Sequence, residues 1–168
     1  STAGYNSIPL SNLTLGVLLT IIFLMYVGAA PSSTGGGMKI TTLTAVIAIV
    51  KSKVRNQAKV TYLGKKIPAD RLEMAVSTFI FYTAILFFSV FLLSFTENHS
   101  LEKLLFEATS AIGTVGLSMG ITGSLSVLGK IILISIMFIG RVGVITFGLA
   151  ILAKKQHKKI DNETDLAV

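Results

Sequence analysis

Apolar runs and polar breaks alternate along this chain at lengths that read as helices. The first run, Leu13 to Ala30, carries no charge. As a helix it is about long enough to cross a hydrocarbon core roughly 30 Å thick. Pro31 stops it, and Ser32-Ser33-Thr34-Gly35-Gly36-Gly37 follows. A second run, Ile40 to Val50, is too short to span alone and leads straight into Lys51, Lys53, Arg55 and Lys59. The pattern predicts one long element interrupted by a glycine-rich segment. The stretch from Lys51 to Arg71 holds seven Lys or Arg and one acid, Asp70. Gly64 and Pro68 make it prone to turn. Leu72 to Phe95 has an uncharged core and predicts a second span. Thr96-Glu97-Asn98-His99-Ser100 is a polar external turn. Leu101 to Ile112 predicts about three helical turns, with Leu104, Leu105 and Ala108 on one face and Ser100 as cap. This half-helix ends at Gly113. The last span, Leu125 to Ala153, contains Arg141 and Gly129, Gly140, Gly143 and Gly148.

Composition turns these helices into membrane helices. The 168 residues are 52% hydrophobic and 14% charged, with a mean hydropathy of +0.76. Soluble domains carry about 25% charged residues. The fold class expected is therefore an all-α membrane protein. The net charge of +7 would suggest nucleic acid in a soluble protein. Here the charges flank apolar spans, so topology accounts for them and no nucleic-acid partner is expected. Lys51 to Arg71 and the cluster Lys154, Lys155, Lys158 and Lys159 fall on one side, the cytoplasmic one by the positive-inside rule. The tail from Ile160 to Val168 is polar and acidic, which puts the C-terminus in the cytoplasm. Cys and Trp are absent, so disulfides and thiolate metal sites are excluded. His99 and His157 have no metal-ligand partner at useful spacing. No set of residues reads as catalytic, so the chain is not expected to be an enzyme.

Two short stretches repeat. Ser1-Thr2-Ala3-Gly4-Tyr5-Asn6 and Gly113-Thr114-Val115-Gly116-Leu117-Ser118 each place a Thr, a small or branched apolar residue and a Gly ahead of a polar stretch and an apolar run. A shift of 112 residues aligns Thr2 with Thr114, Gly4 with Gly116, Leu13 with Leu125, Ile22 with Ile134 and Gly28 with Gly140. A bare run of backbone carbonyls can replace the water around an ion, and Gly permits the backbone this requires. One such tripeptide is a common turn. Two copies, each before a span and one after a half-helix, favour a pore.

The motifs STAGYN, PSSTGGGMK, GTVGLSMGIT and FIGRVG, which cover most of the chain, resemble the membrane subunit of Ktr-type potassium transporters, within the Trk/Ktr/HKT superfamily. The resemblance implies transmembrane helices with a re-entrant pore helix and filter loops, built as repeats of outer helix, pore helix and inner helix. Four such units in one polypeptide surround one pore. This sequence would be a C-terminal piece holding about one and a half of them. Residues 1–59 would be the filter loop and broken inner helix of the third unit, and residues 60–71 a cytoplasmic basic loop. Residues 72–153 would be the complete fourth unit and residues 154–168 a cytoplasmic tail. Thr2, Ala3, Gly4 and Tyr5, and Thr114, Val115, Gly116 and Leu117, would be ion-binding filter segments holding K+ through backbone carbonyls. In this family a Gly at that position goes with potassium and Ser in some relatives with sodium. The single Gly per loop suggests a less strict filter than TVGYG.

By the same resemblance Gly35, Gly36 and Gly37 form an intramembrane gate below the filter. Three glycines break a helix at roughly 1 kcal/mol each, and a membrane tolerates such breaks around cavities. A flexible linker is the plain alternative. A phosphate loop fails because Met38 separates the Lys from the glycines. Arg141 would sit beneath the filter, repelling cations or holding the gate loop. The alternative is a structural Arg paired with an acid elsewhere. Glu107 could attract cations, orient the filter or make a structural hydrogen bond, and Lys130 reads as a snorkelling lysine. The resemblance further implies a homodimer of pore subunits in the cell membrane. It also implies a cytosolic nucleotide-binding regulatory ring facing Lys51, Lys53, Arg55 and Lys59, with nucleotide only on that partner. A sodium or mixed-cation conduit and a non-conducting membrane scaffold are the alternatives.

Overall fold

The computed structural model describes residues 3–6, 10, 13–30, 33, 35–55, 60–62 and 65–143. Thr2, Lys59, Pro31, Ser32, Thr34, the stretch 144–153 and the tail with its lysines lie outside the described residues. Five helices carry the fold: α1 (Leu15–Val27), α2 (Ile40–Val54), α3 (Ala69–Thr96), α4 (Leu101–Gly113) and α5 (Val127–Val142). A 3-10 turn, Thr122–Ser124, directly precedes α5. The all-α class expected from the sequence holds, with one addition. The basic loop contains a two-stranded antiparallel hairpin, β1 (Thr61–Tyr62) and β2 (Lys65–Lys66), with Thr61 opposite Lys66.

The helix α3 follows from its sequence. Its 28 residues reach about 42 Å, and among the described residues it is the helix long and apolar enough to cross a membrane. Its hydroxyls do not spoil it. Thr78 donates to the Met74 carbonyl, Thr83 to Phe79 and Ser89 to Ile85, each four residues back. Each of these three hydroxyls is satisfied within its own helix, as an apolar surrounding demands.

The first inner element departs from expectation. The sequence predicts a span to Ala30 stopped by Pro31, whereas α1 ends at Val27 after 13 residues. Gly28 ends it, at φ 72° and with its N–H donated to the Leu24 carbonyl. A Cβ at Gly28 would run into the Met38 carbonyl oxygen. Chain folding back across the helix end therefore decides the stop, three residues before the proline. As predicted, the element is broken in the middle: the chain resumes as α2 at Ile40.

The half-helix α4 is the centre of the molecule. Leu104 and the whole of 106–113 are buried. Phe106 joins Leu18, Ile22 and Met25 of α1 in one cluster. Leu104, Ala108, Ala111 and Ile112 join Leu86, Val90 and Leu93 of α3 and Leu133 and Ile136 of α5 in another. The surface is the reverse of a soluble protein's. Phe81, Phe87, Phe88, Phe91 and Phe95 of α3 and Leu128, Ile131, Ile134 and Phe138 of α5 are exposed. Leaving such area in water costs roughly 25 cal/mol per Å². Its natural surroundings are lipid or further protein. Ser100 starts α4, but not as predicted. Its hydroxyl donates to the Glu102 carboxylate at 3.3 Å and makes no cap bond.

Candidate functional site

The two repeated tripeptides meet. Gly4 has φ 67° and Gly116 φ 86°, both in the left-handed region that Gly enters without strain. A Cβ on Gly4 would lie 2.8 Å from the Gly116 carbonyl oxygen, and one on Gly116 would lie 3.3 Å from the Gly4 Cα. Two segments 112 residues apart in sequence therefore run backbone against backbone. Tyr5 and Gly116 are exposed, whereas Val115 is buried in the cluster with Phe106.

The second segment is fixed from α4. The helix ends as the Thr114 N–H donates to the Ala111 carbonyl and the Val115 N–H to the Ser110 carbonyl at 2.9 Å. Glu107 then holds the loop beyond. Its carboxylate is buried and accepts from the Ser118 hydroxyl at 2.6 Å, the Met119 N–H at 2.9 Å and the Thr122 hydroxyl at 3.0 Å. Of the sequence alternatives for Glu107, hydrogen bonding that orients the loop is what the geometry contains.

The glycine-rich segment sits directly against this loop. The Gly36 N–H donates to the Thr114 hydroxyl oxygen at 2.7 Å, and the Gly37 N–H to the Gly140 carbonyl at 3.4 Å. Gly35 and Gly36 are buried, which a flexible linker at a membrane edge would not be. Tyr82 closes the other side: a Cβ at Gly37 would lie 3.0 Å from its hydroxyl oxygen. Lys39 turns back to donate to the Gly35 carbonyl. The glycines have to be bare because the segment is wedged between Thr114, Gly140 and Tyr82.

The rest of the last predicted span, 144–153, lies outside the described residues, and Arg141 lies in the last turn of α5, which ends at Val142 with Gly143 at φ 94°. A cation there faces the negative end of the helix dipole. It lines a cavity of about 450 Å³ together with Glu107, Thr114, Gly116, Ser118 and Thr122. Arg141 and the tripeptide thus share one cavity, and its neighbour Gly140 accepts from the glycine-rich segment. Lys51, Lys53 and Arg55 are exposed at the end of α2, remote in sequence from this cavity's lining. No group of three or more His, Cys, Asp or Glu that could hold a metal occurs among the described residues. The oxygens lining this cavity are backbone carbonyls, hydroxyls and the Glu107 carboxylate, donors suited to hard cations.

Sequence reasoning missed two fixing residues. Glu97, taken as part of a polar turn, accepts from the Ser126 N–H at 3.0 Å and from its hydroxyl. Ser126 in turn accepts from the Gly129 N–H at 3.1 Å, which caps α5. Lys39 is the second. Lys130, read as snorkelling, also donates to the Gly123 carbonyl at 3.2 Å.

Known proteins are similar to this sequence. A profile of the TrkH family, described as a cation transport protein, matches residues 1–162. The Ktr system potassium uptake protein D of Bacillus subtilis is 39% identical over 156 residues, which are 92% of this chain and 34% of that protein. Its Ktr system potassium uptake protein B is 35% identical over 159 residues, 95% of this chain and 36% of that protein. The potassium/sodium uptake protein NtpJ of Enterococcus hirae is 35% identical over 157 residues, 91% of this chain and 35% of that protein. The chain spans about a third of the length of these relatives, and their names are those of transport proteins.

Proposed function

The chain belongs to the TrkH family of cation transport proteins, and from that premise we propose that it is part of the pore of a potassium uptake system in the cell membrane. Thr2 to Tyr5 and Thr114 to Leu117 are two filter segments, whose carbonyls re-solvate K+ as water is stripped away. The helix α4 is the re-entrant pore helix of a complete unit, residues 72–153. Residues 1–59 are the filter loop and broken inner helix of the unit before it. Ions move down their electrochemical gradient, and Gly35 to Gly37 with Arg141 gate them below the filter. The observation that carries this reading is the packing of Gly4 on Gly116, both at positive φ, from two aligned repeats. A turn that merely happened to contain T-x-G would have no reason to meet its own copy.

The word "system" in the relatives' names supports a second component. We infer a cytosolic nucleotide-binding ring facing Lys51, Lys53, Arg55 and Lys59. A homodimer of pore subunits and a cytoplasmic C-terminus complete the assembly. One relative's name includes sodium, which favours a mixed-cation conduit as the second reading. The test is growth at low potassium of cells lacking their own uptake systems. They carry the full-length parent, its partner, and either Gly116 or Gly116→Ser. Rescue by the parent and weaker rescue by the variant are expected. A folded, inserted parent that rescues only with sodium present moves the reading to a mixed conduit, and one that never rescues moves it to a scaffold.

A further inference from the structure

One side chain joins the two loops. Thr114 has φ 53° and ψ 39°, and among the described residues no other non-glycine has a positive φ. For a β-branched residue that conformation is an outlier, and such an outlier persists only where its surroundings hold it. The holding contacts are the bond from its N–H to the Ala111 carbonyl and the bond its hydroxyl oxygen accepts from the Gly36 N–H at 2.7 Å. The second is a tight fit. A Cβ at Gly36 would lie 2.6 Å from the Thr114 Cγ2, 2.9 Å from its Oγ1 and 2.8 Å from the Gly140 carbonyl oxygen. Only bare backbone can reach Thr114 there.

This contact has a sign. The Gly36 N–H points its positive end at the Thr114 hydroxyl, and the Gly37 N–H points its own at the Gly140 carbonyl one residue from Arg141. The positive end of the Gly36 N–H, held against the Thr114 hydroxyl oxygen, opposes a cation at that same oxygen. A cation beside Thr114 would also compete for the hydroxyl's lone pairs. A seated glycine segment and a cation at this end of the Thr114 to Leu117 segment therefore disfavour one another. By linkage the effect is reciprocal: whatever the segment costs the ion, the ion costs the segment.

We propose that Thr114 couples filter occupancy to the glycine segment. Potassium at the inner end of the filter unseats Gly35 to Gly37, and the seated segment lowers potassium affinity there. This rests on the reading of Thr114 to Leu117 as filter and Gly35 to Gly37 as gate. Thr114 acts in it as a positioning residue through its side chain.

The test uses the full-length parent in liposomes, cysteine-free, with a spin label on Ser33→Cys. Ser33 is exposed and borders the glycine segment. Potassium replaces choline in steps while label mobility and potassium flux are both read. The mobile fraction is expected to rise with potassium in the parent and in Thr114→Ser. Thr114→Val, which keeps the shape and loses the acceptor, should raise the mobile-to-immobile ratio without potassium roughly fivefold and flatten its potassium dependence. Gly36→Ala should do the same from the other side. A folded Thr114→Val with an immobile label and an unaltered potassium titration overturns the proposal. If that variant does not fold, an unaltered titration in Gly36→Ala overturns it. Flux in a parent whose label ignores potassium removes the coupling alone. A parent without flux removes the pore reading and the coupling with it.

Discussion

The helices α1 and α5 begin in the same register of the repeat, Leu15 and Val127, and then use the same glycine in opposite ways. Gly28 and Gly140 are aligned, and a Cβ on either would strike a carbonyl oxygen. In α5 that oxygen belongs to Ile112 of α4, so Gly140 stays helical and lets two helices touch backbone to backbone. In α1 it belongs to Met38, and Gly28 turns to φ 72° and ends the helix. The N-termini differ as well. Ser126 caps α5 and is gripped by Glu97, whereas Thr14, its aligned partner, makes no cap bond. A conserved pattern between two repeats therefore fixes where a glycine is needed but not which of its properties is used. One copy supports packing, and the other makes room for the glycine-rich segment.

The largest effect that would sharpen this contrast is expected at Gly140. Gly140→Ala has no space beside the Ile112 carbonyl and should cost about 3 kcal/mol by overpacking. Thermal unfolding of the purified full-length protein in detergent would read it. Gly28→Ala should instead leave the α4–α5 seat intact and displace the glycine segment, so ion leak through reconstituted protein should rise while assembly survives. Equal unfolding by both variants would break the comparison. Next is the filter pair. Both glycines lose their left-handed ease on substitution, about 1–2 kcal/mol each, but Gly4→Ala also meets the Gly116 carbonyl at 2.8 Å while Gly116→Ala has 3.3 Å of room. Gly4→Ala should therefore reduce potassium flux more. Glu107→Ala follows. It leaves the Met119 N–H without its carboxylate and should cost on the order of 1–3 kcal/mol in unfolding. The smallest effects are at the caps: Ser126→Ala should cost about 1 kcal/mol, and Thr14→Ala, with no cap bond to lose, should be near zero.

Much of this was legible in the chain. An uncharged core bounded by Pro68 and Glu97 left α3 little freedom, and α4 followed from its short periodic run between Ser100 and Gly113. The repeat could be read because it is a matter of identity and spacing, and so could the break after the first run. Its position could not. Pro31 is the stronger local signal, and Gly28 outranks it only because Met38 folds back onto it. Glu97 was hidden for the same reason. A carboxylate whose partner is 29 residues away looks like any turn residue in one dimension. Arg141 lies on the helix predicted for it and lines one cavity with Thr114 and Gly116.

The burial of α4 carries a consequence for synthesis. It is 13 residues long and includes Glu102, Lys103 and Glu107, which is too short and too polar for insertion machinery to accept as a span of its own. It leaves the ribosome after α3 and before α5. On the pore reading proposed above, it waits at the interface until α5 follows, and enters the bilayer only as cargo between two neighbours already committed to it. The order in which the chain is translated is thus part of how its most buried helix reaches its place.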